Sequence, residues 1–91
     1  MIIEVEKNKY KLIKDYRDAF DEDTFKEKYT NYFENFDYIV GDIAYSKLRL
    51  KGFNKKENKF CNKYNDYSNV EKYLKENCAF DCKYFILEKQ K

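Results

Sequence analysis

The chain contains no histidine and no proline, and only two of its 91 residues are glycine. The lack of histidine removes the commonest general base near neutral pH and the commonest metal ligand, so neither a Ser-His-Asp nor a Cys-His arrangement can be assembled. No P-loop and no GxGxxG occurs, which excludes the usual phosphate-cradling loops. No stretch approaches the roughly 20 apolar residues of a membrane span. The first residues, Met1-Ile2-Ile3-Glu4-Val5-Glu6-Lys7, carry neither a basic leader nor a long apolar run. A cytoplasmic protein with no membrane association is therefore expected. Three cysteines, with Cys78 and Cys82 four apart and Cys61 remote, fall short of a four-ligand zinc set when no histidine can complete it. Neither a metal nor a cofactor is expected, and in a reducing compartment the cysteines read as thiols.

What is present in quantity is lysine and aromatic rings: 17 lysines against two arginines, Arg17 and Arg49, with ten tyrosines and eight phenylalanines. At this length the chain is expected to form one domain, 1–91, whose small core leans on rings that bury about 150–250 Å² each. Charge is unevenly spread. Residues 1–37 hold seven basic and ten acidic side chains, whereas 38–91 hold twelve basic and seven acidic. Between 47 and 63, seven cations meet a single anion, Glu57, a density that attracts polyanions whatever the net charge.

Hydrophobic periodicity gives the order of elements. Ile3 and Val5, then Tyr10 and Leu12, predict a hairpin around Lys7-Asn8-Lys9. A charged connector, Asp15 to Phe20, leads to a helix predicted over 22–36, where Phe25, Tyr29, Tyr32, Phe33 and Phe36 form one stripe. Asp21 is placed to cap it, and Phe20 to pack on Phe25 as a hydrophobic staple. Tyr38 to Ile43 predicts a central strand, with Gly41 marking a bulge or a close approach. The segment from 44 to 53 predicts a basic strand, and Asn54 to Tyr67 a long exposed loop with a short strand near 59–61. Ser68 opens a capping box for a second helix, and Tyr84 to Leu87 predict a strand buried on both faces, followed by a solvated tail. The predicted fold is α+β, ordered ββαβ(β)αβ: a mostly antiparallel sheet of four to five strands with two helices, drawn here as covering one face.

The basic strand is the strongest functional signal. Strict alternation sets Ala44, Ser46, Leu48 and Leu50 on one side and Tyr45, Lys47, Arg49, Lys51 and Phe53 on the other. With Lys55 and Lys56 extending the field, cations lie along a path with a ring at each end, the composition of single-stranded RNA binders. The expected function is a non-enzymatic domain that engages RNA or a ribonucleoprotein through this face. Two alternatives stay open: a protein-interaction adaptor using the same surface, and a metal-dependent enzyme acting on phosphate esters through Asp15, Asp18 and Asp42. For that last group a structural reading competes, in which Arg17 neutralises one carboxylate; outward lysines can likewise serve only to keep an edge strand soluble.

Three blocks carry a resemblance to a known family: Asp15-Tyr16-Arg17-Asp18-Ala19-Phe20, then Phe36 through Asp42, then Leu48-Arg49-Leu50-Lys51-Gly52-Phe53. Together with Tyr73-Leu74, Cys78 to Cys82 and Tyr84 to Leu87, they resemble the YutD-like family of small uncharacterised bacterial proteins over nearly the whole chain. The resemblance implies a compact cytoplasmic α+β domain and no established activity. It adds weight to Asp15, Arg17, Asp18, Asp42 and Arg49 as a polar site or a set of ion pairs.

Overall fold

A computed structural model describes residues 1–77 and 83–90. Strand β1 (Ile2–Val5) turns into β2 (Asn8–Tyr16) through Glu6 and Lys7, both left-handed at φ 47° and 71°. Two such residues make the type I′ turn whose twist suits a tight hairpin. The turn therefore falls just before the predicted one: Asn8 already belongs to β2, opposite Val5.

Helix α1 spans Glu22–Lys28, capped as expected by Asp21, whose side chain accepts from the N–H groups of Asp23 and Thr24. Phe20 and Phe25 meet at 6.0 Å between ring centroids, completing the staple. The helix is shorter than its stripe. Tyr29 and Thr30 are extended, and the chain resumes as a 3₁₀ helix over Asn31–Asn35. Tyr29 turns inward instead. Its hydroxyl lies 3.0 Å from that of Tyr10 and accepts from the Asn8 amide (3.2 Å). A buried hydrogen bond and ring contacts outweigh the weak preference for continuing a helix.

Strands β3 (Tyr38–Ala44) and β4 (Lys47–Phe53) form a hairpin, and β5 (Lys83–Gln90) follows helix α2 (Val70–Asn77) in the described chain. The five strands make one sheet in the order β1-β2-β5-β3-β4, each pairing antiparallel. The last strand thus sits in the middle. It extends to Gln90, so Glu88 and Lys89, expected in a tail, are ladder residues.

The α+β class is as expected, but the helices cover opposite faces. Ile39, Phe85 and Leu87 pack with Phe25 and Tyr29 on the α1 side, while Val40, Ile86 and Phe53 pack with Val70 on the α2 side. Tyr38-Ile39-Val40 and Phe85-Ile86-Leu87 are buried without alternation. Strands of that kind need a layer on each side.

Gly41 marks a close approach, and the approaching group is a ring. A Cβ there would lie 2.2 Å from the tip of Phe85, and the ladders on both sides run through without a bulge. The bulge is in β2, at Ile13, where the register with β5 slips by one residue. A one-residue slip exchanges the faces of everything beyond it. Leu12 faces the α1 core, but Lys14 and Tyr16 face the α2 side and Asp15 the α1 side.

The Asn54–Tyr67 segment holds turns rather than a strand at 59–61. Asn54, 1% exposed, is its anchor. It accepts from the Asp37 N–H and from the Asn58 amide, and Asp37 in turn accepts from Lys55 N–H and the same amide. Asp66, not Ser68, caps the following turn, accepting from both the N–H and the hydroxyl of Ser68.

Candidate functional site

The β3–β4 hairpin is closed by Tyr45 and Ser46, both left-handed at φ 54° and 64°. This turn changes the predicted basic row. Tyr45 is not a strand residue but a turn tip, 93% exposed. Ala44 pairs directly with Lys47 and so shares its face rather than that of Leu48. From 47 to 53 the alternation holds: Leu48 and Leu50 turn to the α1 core, and Lys47, Arg49, Lys51 and Phe53 to the α2 side.

Phe53 is no stacking platform. It is 1% exposed, with the ring of Tyr73 edge-on at 5.5 Å, because α2 covers that end of the strand. The Lys51 ammonium lies over both rings, 5.3 Å from Phe53 and 5.8 Å from Tyr73. Lys55 is drawn toward Glu88 (4.0 Å) and the ring of Tyr38 (5.9 Å). Lys47 and Lys56 are exposed. Burial raises the Tyr73 hydroxyl above its ordinary pKa, aided by the Asp42 charge. Burial and then Glu88, whose carboxylate accepts from the hydroxyl, push Tyr38 up to about 12.

The structure does not gather the predicted polar cluster. Asp15 points to the α1 side, accepting from the Phe20 N–H (3.1 Å). Arg17 and Asp18 form a left-handed turn, with the Arg17 guanidinium over the Tyr16 ring. Asp42 is buried on the α2 side, and the ion pair to it comes from Arg49, its neighbour across the ladder. Arg49 bonds the same Asp42 oxygen through Nε (3.2 Å) and Nη2, and Nη2 also donates to the carbonyl of Asn77 (2.7 Å). It thereby ties β3, β4 and the end of α2 together. The other Asp42 oxygen, Oδ1, is buried without a hydrogen-bond partner among the described residues. With Asp15 and Asp42 on opposite faces, the proposed carboxylate site for a divalent cation is not assembled. No group of three potential metal ligands occurs among the described residues. Cys61 is a free thiol, raised by burial; Cys78 and Cys82, likewise expected as thiols, lie outside the described residues.

What the structure adds is a surface around the outer edge of β4. Two grooves flank it. One, of about 580 Å³, is lined by Lys51, Lys63, Lys72 and Tyr73 on the α2 side. The other crosses the edge toward Tyr32, Phe36, Leu50 and Gly52, and Tyr64 borders both. Tyr32, Phe60 and Tyr64 are 69%, 59% and 72% exposed. Sequence periodicity placed Tyr32 in the apolar helix stripe and gave no signal for Phe60 and Tyr64, which lie in a segment without period. A different signal marks those two. Each follows an asparagine by two residues, and Asn58 and Asn62 accept from the N–H groups of Phe60 and Tyr64 (both 2.8 Å). Such turns leave the following side chain directed by a fixed backbone.

Comparison with known proteins gives one consistent result. A family model described as "Putative antitoxin YutD-like" matches residues 4–88. A protein of Bacillus subtilis (strain 168) named "Putative antitoxin YutD" is 35% identical over 88 residues, covering 97% of each chain. The solution NMR structure of protein yutD from B. subtilis aligns with a TM-score of 0.83 at 34% identity, over 100% of this chain and 83% of that one. No helix among the described residues is long and apolar enough to cross a membrane.

Proposed function

This chain belongs to the YutD-like family, and from that premise we propose that it is a non-enzymatic binding module of antitoxin type, engaging a protein partner through the surface around β4. One observation carries the reading: exposed rings and cations converge on the β4 edge, beyond which no strand lies among the described residues. Large exposed rings beside unpaired backbone are the composition of protein interfaces. The cations of the basic row fit a phosphate path less well. Arg49 is held by Asp42 and Asn77, Lys51 lies over two rings, and Phe53 is inside. An RNA or ribonucleoprotein partner is the second reading, favoured by exposed rings at Phe60 and Tyr64 in a segment that also exposes Lys56, Lys59 and Lys63.

The test is affinity capture from the native cytoplasm with and without ribonuclease. Retention of one protein in stoichiometric amount after ribonuclease, whose toxicity on separate expression is relieved by this chain, supports the first reading. Capture that disappears with ribonuclease replaces it with the second, and binding lost steeply with salt accompanies that outcome.

A further inference from the structure

We propose that the outer edge of β4, from Leu48 to Gly52, accepts an extended segment of the partner protein as a sixth strand, with acidic residues on its α2 side and apolar residues on the other. This rests on the protein-binding reading above and specifies its chemistry.

The direction of the backbone is fixed by the chain itself. Beyond Phe53, Asn54 bridges to Asp66 in parallel fashion: its N–H donates to the Asn65 carbonyl (2.6 Å), and its carbonyl accepts from Tyr67 N–H (2.9 Å). Asn54 therefore presents its backbone groups outward. Outward presentation recurs every second residue along a strand, so Gly52, Leu50 and Leu48 present theirs outward as well. Among the described residues, no strand lies on that side of β4. The protein thus already closes this edge with its own chain at one end, and among the described residues the next three pairs of groups make no backbone hydrogen bond on that side, with Gly52 lying beneath the Phe36 ring.

The flanking grooves define the occupant. On the α2 side the added strand meets Lys51, Lys63 and Lys72 against one carboxylate, Glu76. On the other side it meets Tyr32, Phe36 and Leu50. Alternating side chains on a strand, carboxylate then aliphatic, satisfy both at once. A second copy of this chain does not. Two β4 strands laid edge to edge would set Lys47 and Lys51 of one against the same lysines of the other, and like charges across a strand pair repel.

The probe is a synthetic peptide of about ten residues alternating Glu and Val, added to the full chain and followed by amide NMR. Solvent exchange of the Leu48, Leu50 and Gly52 amides should slow at least roughly tenfold, while Arg49 and Lys51, already bonded to β3, stay unchanged. A peptide alternating Lys and Val should bind at least about tenfold more weakly, as should the first peptide against K51E/K72E. Equal binding by a Glu-Val peptide N-methylated on its bonding edge, or protection of all five amides alike, overturns strand addition. So does the same protection without peptide in a chain that sediments as a dimer. A captured native partner that the peptide displaces supports the proposal. A partner that leaves Leu48, Leu50 and Gly52 exchanging freely overturns the edge but not the protein-binding reading, whereas peptide binding with no capturable protein overturns the reading and not the edge.

Discussion

On the α1 side of the sheet, Phe25 lies edge-on to Tyr10 and Phe85 at interplanar angles of 80° and 88°, and two buried tyrosine hydroxyls share a hydrogen bond. On the α2 side, the apolar packing of Val40, Phe53, Val70 and Ile86 stops at Asp42, and its charge pair with Arg49 of β4 takes over. The two faces share the same three strands, yet one is closed and the other ends in ionic groups that reach solvent. A sheet only a few strands wide can separate stability from recognition in this way, because alternation gives each face its own residues.

Substitutions should separate the faces in order of size. Phe25→Ala, removing a fully buried ring from the closed side, should cost about 3–5 kcal/mol in urea denaturation and leave little folded protein at this chain length. Gly41→Ala drives a methyl into the Phe85 ring and should cost about 1–3 kcal/mol. Adding Phe85→Leu should return part of that loss, so the double-mutant cycle should be non-additive. Arg49→Leu leaves the Asp42 carboxylate buried and unpaired. Because the Arg49 side chain is 48% exposed and water can enter where it leaves, roughly 1–3 kcal/mol is expected rather than the full cost of breaking a buried pair. Adding Asp42→Asn should recover part of it, since a neutral amide is cheaper to bury than a charge.

Alkaline pH tests both faces together. The raised Tyr38 hydroxyl means that the folded state prefers the neutral phenol. That contribution is complete below the ordinary tyrosine value of about 10 and is lost as pH rises toward about 12. Tyr10 is raised further, first by burial and then by its bond to Tyr29. The denaturation midpoint should fall through this window, and Tyr38→Phe should flatten the fall. The smallest effect on folding belongs to the proposed surface. Tyr64→Ala should leave the denaturation midpoint where it was and weaken partner capture by at least roughly tenfold. A matching loss of stability would mean that the β4 edge is not a separate functional region.

Much of the architecture was legible. The Asp21 cap and the Phe20 staple follow from adjacent residues, and the alternation of 47–53 and the two-sided burial of Phe85-Ile86-Leu87 follow from periodicity. Tyr45 and Ser46 defeated the reading of 44–53 as one strand because a two-residue turn without glycine or asparagine gives no turn signal. The helix stripe ran past Tyr29 because a side chain's choice between solvent and a remote hydroxyl cannot be read from period. On β4, the facing of Arg49 and Lys51 was legible, but Phe53 was assigned to the surface, Tyr32 to an apolar helix stripe, and the exposure of Phe60 and Tyr64 gave no periodic signal. Burial at a strand end depends on which helix lies above it.

By itself, then, the sequence determined the class and order of the main strands and helices, the two-sided burial of the last strand, and where positive charge collects, since these are consequences of neighbouring residues and their spacing. Only the tertiary structure decided that Arg49 rather than Arg17 answers Asp42, and that Asp15 stands apart from both. The β5 strand enters between β2 and β3, and one extra residue at Ile13 reverses the faces of Asp15 and Tyr16. Strand order and register are set by contacts between residues far apart in the chain, so no local pattern carries them.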